Sequence, residues 1–77
     1  MDIRIELNND KERDEFIKIV RSFDFDIDVY KFTPNKSIDA KSELSIFAIG
    51  NGHLYVHSQV YNKELENKLK QFQVQGE

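Results

Sequence analysis

Apolar and polar residues alternate over residues 3–7, and this two-residue period predicts a β-strand with one buried face. The period then changes to that of a helix, in which the apolar positions are Phe16, Ile19, Val20 and Phe23. Asn9 and Glu12 have the spacing of a capping box at the start of such a helix. The pattern therefore predicts a helix at about residues 10 to 22.

Alternation returns over residues 24–30 and predicts a second strand. Its inward positions are Phe25, Ile27 and Val29, and its outward positions are Asp24, Asp26, Asp28 and Tyr30. The single proline lies in residues 33–36, which predict a turn, and a short strand is expected over residues 36–40. We expect the two strands to pair as a hairpin.

Ser42 begins a segment that runs through an acidic residue and several apolar ones to Gly50, which is typical of a short capped helix. The β-branched residues of this run leave a strand as the competing prediction. The next strand has two faces: Leu54, Val56 and Ser58 point inward, and His53, Tyr55 and His57 point outward. From Asn62 a last helix turns Leu65, Leu69 and Phe72 inward, and residues 73–77 are expected to fray.

The predicted element order is β-α-β-β-α-β-α, and an α+β fold buries all of these apolar stripes most simply. We expect a four-stranded antiparallel sheet with three helices on one face and the other face open to water. A length of 77 residues with 39% hydrophobic residues predicts one domain over residues 1–77, with a thin core and no deep cavity.

Charge and composition narrow the possible functions. A formal net charge of −3 argues against a nucleic acid partner, and the absence of cysteine excludes disulfides and thiolate chemistry. The first residues alternate charged and apolar groups, unlike a targeting segment, so a cytoplasmic protein without a membrane partner is expected.

No set of catalytic residues stands out, and we expect neither an enzyme nor a small-molecule substrate. His53 and His57 lie roughly 13 Å apart along a strand, so no metal site and no cofactor are predicted.

Residues 36–50, with a short strand, the pair Lys41-Ser42 and an apolar helix ending at glycine, resemble the HPr family. This family comprises the histidine-phosphorylated carriers of the bacterial sugar phosphotransferase system. Residues 23–29 are similar to the second strand of the family, and the likeness extends over nearly the whole chain. The resemblance implies an HPr-like open-faced sandwich. A ferredoxin-like fold with a terminal helix shares the same element order and remains the alternative.

Counting back from Phe23 without gaps, the resemblance places Asn9 at the phosphohistidine position of the family and Lys11 at its arginine position. Phosphocarrier chemistry requires an imidazole nucleophile, which an asparagine amide cannot replace. Four acidic residues in the first turns would also repel a phosphoryl group: Asp10, Glu12, Asp14 and Glu15. We therefore expect a non-catalytic regulatory or protein-interaction module that meets a protein partner.

Phosphorylation at another residue is the alternative function. Ser42 matches a serine that a regulatory kinase phosphorylates in Gram-positive members of the family, although a plain N-cap explains it as well. His57 is a second candidate, against its interpretation as an ordinary surface histidine. The acidic residues of the second strand, together with Tyr30, Tyr55 and His57, form a candidate partner surface on the open sheet face. They would suit a basic partner or a weakly bound cation, or would simply be solvated.

Overall fold

The order of the helices and strands agrees with the sequence prediction. The computed structural model describes residues 1–73. Its elements, in chain order, are β1 (Asp2–Leu7), α1 (Asp10–Arg21), β2 (Asp28–Tyr30), a 3₁₀ turn (Pro34–Lys36), β3 (Ile38–Asp39), α2 (Glu43–Ile49), β4 (Gly52–His57), α3 (Lys63–Leu69) and a second 3₁₀ turn (Lys70–Phe72). The competing strand at residues 43–49 is excluded, because this segment is helical.

The four strands form one antiparallel sheet in the order β1-β4-β2-β3. The predicted hairpin is confirmed by the pairing of β2 with β3. Because β4 and β2 are central, whereas a ferredoxin-like sheet has its first and third strands at the centre, the ferredoxin-like alternative is wrong. The sheet with its three helices is the α+β open-faced sandwich that the resemblance implies.

The core lies between the sheet and the helices. The predicted inward positions of β1, β4, α1 and α3 are all buried, apart from the partly exposed Ile19 and Phe23 of the first helical stripe. Phe16 of α1 packs edge-to-face against Phe72, with the ring centres 6.3 Å apart. Ser58 is also buried, and its hydroxyl exchanges hydrogen bonds of 2.9 and 3.1 Å with the backbone of Val60. The core polar group is therefore satisfied.

The second strand is shorter than the predicted 24–30, since only Asp28–Tyr30 pairs in the sheet. β3 offers partners to Asp28 and Val29 alone, and the Ala40 N–H donates to the Ile27 carbonyl just before the strand begins. Residues 23–25 form a bend instead of a strand, with the rings of Phe23 and Phe25 packed together at 5.5 Å. The alternating pattern therefore predicted buried Ile27 correctly and overestimated the strand.

The C-terminal prediction is wrong at its first residue. Gln73 was expected to fray, yet it forms a bridge to Ile5 at the outer edge of β1. The rest of the expected frayed segment, residues 74–77, lies outside the described residues. None of the helices within residues 1–73 has the length and apolar character needed to cross a bilayer.

Candidate functional site

The first turn of α1 is closed by two side-chain caps. The Asn9 Oδ1 atom accepts a hydrogen bond from the Glu12 N–H at 2.9 Å, as the capping-box spacing predicts. The Glu12 carboxylate reaches back and accepts from the N–H of Asn8 at 2.7 Å, one residue earlier than in the usual box. Side-chain oxygens of the chain thus occupy two N–H groups at the helix start, where a helix otherwise offers N–H groups to an anion.

Arg13 is the cation that makes side-chain contacts at the start of α1, and it was not among the residues predicted from the sequence. Its Nη1 atom lies 3.3 Å from Asp10 Oδ1, and its guanidinium lies over the ring of Phe47, 4.8 Å from the ring centre. Lys11, expected at the family's arginine position, is exposed. The i,i+3 spacing of Asp10 and Arg13 could have predicted their ion pair. No local spacing in the sequence predicts the contact of Arg13 with α2.

Ser42 caps α2, as predicted. Its Oγ atom accepts a 3.4 Å hydrogen bond from the N–H of Ser45, and the side chain is half-buried. The two neighbouring cations are engaged with backbone carbonyls: Arg21 Nε donates to the Lys41 carbonyl at 3.0 Å, and Lys41 Nζ donates to the Phe23 carbonyl at 2.5 Å. The structure thus explains Ser42 as a helix cap.

Two apolar side chains of α2 project from the surface beside α1. Leu44 is 84% exposed and Phe47 is 64% exposed, while Ile46 between them is buried. We call Leu44, Phe47 and the adjoining Arg13 the helix patch. Exposed apolar side chains grouped with an arginine are typical of surfaces that bind proteins.

The open sheet face carries two rows of side chains that are directly opposite one another across the strands. One row consists of Arg4, Tyr55 and Tyr30. The tyrosine rings are stacked, with centres 5.1 Å apart and planes at 12°, and the Arg4 guanidinium lies 5.9 Å from the centre of the Tyr55 ring. Tyr30 and Tyr55, both predicted to belong to the candidate partner surface, therefore lie side by side.

The second row consists of Asp2, His57 and Asp28, with Asp28 in turn opposite Asp39. His57 Nδ1 lies 2.7 Å from Asp2 Oδ1, so this histidine is paired with a carboxylate on the neighbouring strand. His53, at the other end of β4, pairs with Glu6 at 3.2 Å. The antiparallel pairing of β1 with β4 produces both contacts. The two acidic residues are four positions apart on β1 and the two histidines are four positions apart on β4, and this equal spacing could have predicted the pairs from the sequence.

A solvent-open cleft of about 400 Å³ lies beside His57. Asp24, Asp26 and Asp28 all line this cleft, although only Asp28 of the three lies in β2. Phe25 and Val60 supply apolar walls. Within the described part of the chain, no three histidine or carboxylate side chains are arranged to hold a metal ion.

Comparisons with known proteins agree with this architecture. No protein-family model matches the chain, and no curated protein matches it significantly. Among solved structures, the chain is similar to HPr-C-His from Thermoanaerobacter tengcongensis, with a TM-score of 0.70 and 22% identity over 90% of this chain and 85% of that one. It is also similar to the phosphocarrier protein HPr from Bacillus anthracis strain Ames, with a TM-score of 0.63 and 22% identity over 95% and 96% of the two chains. The fold of the chain is thus HPr-like.

Proposed function

We propose that this chain is an HPr-like protein-interaction module that does not carry phosphate. In this proposal residues 1–77 act as one domain in the cytoplasm, without enzymatic activity, cofactor or small-molecule substrate. The observation that carries the proposal is the hydrogen bond from the Glu12 N–H to Asn9 Oδ1, because it makes the residue at the family's phosphohistidine position a helix cap.

The electrostatics of the helix start support this reading. The Glu12 carboxylate accepts a hydrogen bond from the Asn8 N–H. A phosphoryl group placed at the start of α1 would therefore be repelled by this negative charge at contact distance. Arg13 is directed toward Asp10 and Phe47, and its side chain is only 13% exposed. A cation held in this way contributes to the link between α1 and α2.

The helix patch is the surface that we propose for contact with a protein partner. Leu44 and Phe47 are large apolar groups exposed on the same short helix, and burial of such side chains provides much of the free energy of protein association. Arg13, whose side chain is largely buried, packs against the Phe47 ring at the edge of the patch.

Phosphorylation is the second candidate function, and the 2.7 Å contact between His57 Nδ1 and Asp2 favours it at His57. A carboxylate at this position orients an imidazole and sets which ring nitrogen carries the proton. Against it, the two facing strands place the carboxylates of Asp2 and Asp28 opposite His57, so an incoming phosphoryl group would be repelled. Ser42 is the other candidate, as the target of a regulatory kinase.

The test is phosphotransfer from radiolabelled phosphoenolpyruvate through purified Enzyme I, with a histidine-carrying HPr as positive control. We expect no label on this chain. Label that disappears in the His57→Ala variant would overturn the proposal and establish the second candidate. A parallel incubation with an HPr serine kinase and ATP, followed by intact mass measurement, should give no added phosphate; a phosphate lost in Ser42→Ala would likewise overturn it.

A further inference from the structure

Two depressions on the open sheet face meet at His57. One is the cleft of about 400 Å³ lined by Asp24, Asp26 and Asp28. The other has a volume of about 190 Å³ and is lined by Asp2 and Tyr30, and also by Pro34 and Ser37. His57 lines both depressions, and we call the two together the sheet-face groove.

The groove concentrates negative charge. Its four aspartates carry a formal charge of −4, whereas the formal net charge of the whole chain is −3, so the rest of the protein has no excess of acidic residues. No lysine or arginine lines either depression, and within residues 1–73 no salt bridge involves Asp24, Asp26 or Asp28. A cleft with low-dielectric walls and one sign of charge focuses its field on an incoming counter-charge.

Apolar and aromatic groups accompany these carboxylates. Phe25 and Val60 line the larger depression, and Val60 is 47% exposed. Tyr30, which lines the smaller one, is stacked on Tyr55. Lysine and arginine side chains pack their aliphatic stems on such surfaces, and their charged ends favour aromatic faces. Arg4 makes this kind of contact with Tyr55 on the same face of the sheet.

The spacing of the charges fits an extended chain. Asp2 on β1 and Asp28 on β2 lie on opposite sides of β4, and two strand spacings correspond to about 10 Å. Side chains three residues apart in a polyproline-type segment are about 9 Å apart on one side, and those two apart in a strand about 7 Å. Two basic residues separated by one or two others would thus reach both depressions.

We propose that the sheet-face groove docks an extended segment of a partner protein that presents two or more lysine or arginine residues. This inference rests on the proposed function as a protein-interaction module, and it assigns the chemistry of one partner. The net attraction comes from exposed and half-buried carboxylates meeting cations, while Phe25, Val60 and Tyr30 hold the stems of the basic side chains.

The test is an NMR titration of the full ¹⁵N-labelled chain. The probe is an acetylated and amidated heptapeptide with arginine at its first, fourth and seventh positions and glycine elsewhere; the same peptide with glutamate in place of arginine is the control. We expect saturable shifts of the amide signals of residues 24–28 and 57–60 with the arginine peptide only.

The double variant Asp24→Asn, Asp26→Asn should weaken binding about tenfold, since two of the four carboxylates of the groove lose their charge. Its matched control is Asp14→Asn, Glu15→Gln on α1, which changes the net charge equally and should alter the dissociation constant less than about twofold. Asp24 and Asp26 are exposed, so the far-UV circular dichroism of the variant should match that of the unchanged protein.

Any of four results would overturn the proposed docking of a basic segment in the groove. The first two are the absence of shifts with the arginine peptide and an equal weakening of binding in both double variants. The other two are shifts centred on the helix patch, and calcium chloride that produces the same shifts and displaces the peptide. None of these results involves phosphate transfer. The Enzyme I experiment would still test the proposed function separately. A failure of the docking proposal can therefore be distinguished from a failure of the proposed function.

Discussion

The guanidinium of Arg13 lies 4.8 Å from the centre of the Phe47 ring and joins α1 to α2 across the protein surface. The same guanidinium meets Asp10 at 3.3 Å within α1. An arginine that is paired and also stacked on an aromatic ring is held in one orientation. The two helices that form the helix patch are therefore coupled through a side chain that also lies at the start of α1.

Replacing Arg13 by alanine should lower the free energy of unfolding by about 1–2 kcal/mol, because the cation–π contact, the pair with Asp10 and the packed stem are all lost. Urea unfolding followed by circular dichroism measures the change. In a double-mutant cycle with Phe47→Leu we expect a coupling energy of about 0.5–1 kcal/mol.

The matched control for this cycle is Lys18→Ala, an exposed cation of the same helix. Its coupling to Phe47→Leu should be zero within about 0.3 kcal/mol. A coupling of equal size for Lys18 and Arg13 would contradict the assigned contact, since it would reflect the net charge of α1 rather than one pair of side chains.

Replacing Asn9 by alanine should destabilise the protein by about 1 kcal/mol, because the N–H of Glu12 loses its acceptor. Asn9→Asp should retain full stability, since a carboxylate accepts the same hydrogen bond and interacts favourably with the helix dipole. Thermal and urea unfolding measure both effects. Asn8→Ala is the control: the Glu12 carboxylate binds the backbone of Asn8, so removal of that side chain should change stability by less than about 0.5 kcal/mol.

Replacing Gly50 by alanine should cost about 1–2 kcal/mol, because the residue has φ +82°, a region that side-chain-bearing residues rarely adopt. A Cβ atom there would lie 3.9 Å from Lys31 Nζ, an ordinary contact, so the cost arises from the backbone and not from a clash. The urea midpoint should fall at an unchanged slope. Asn51→Ala, in the same turn, should stay within about 0.5 kcal/mol, and an equal loss at both residues would refute the conformational explanation.

Sequence periodicity predicted the elements where local and tertiary preferences agree. The Asn9 and Ser42 caps and the Gly50 stop are encoded within a few residues, and the structure has all three. At Asp24 and Asp26 the alternation was as good as in any strand, but a strand also needs a partner. β3 is two residues long, so the paired strand begins only at Asp28.

The candidate site was harder to predict because most of its contacts join distant parts of the chain. Asp2 and His57 were both visible, but the pair required knowledge that β1 lies beside β4. The contact of Arg13 with Phe47 depends on how α1 and α2 pack, and no spacing in the sequence encodes it. Asp24 and Asp28 line one cleft although only Asp28 lies in β2, and the alternating pattern, which predicted a strand through both residues, did not show this.

The borders of the sheet have a consequence for self-association. The bridge from Gln73 to Ile5 occupies part of the outer border of β1, and β3, at the opposite border, pairs through only two residues. Growth of fibrils by strand addition needs long, unpaired and flat borders as templates. The border at β3 therefore offers little backbone on which further copies could polymerise, and the border at β1 is interrupted at Ile5.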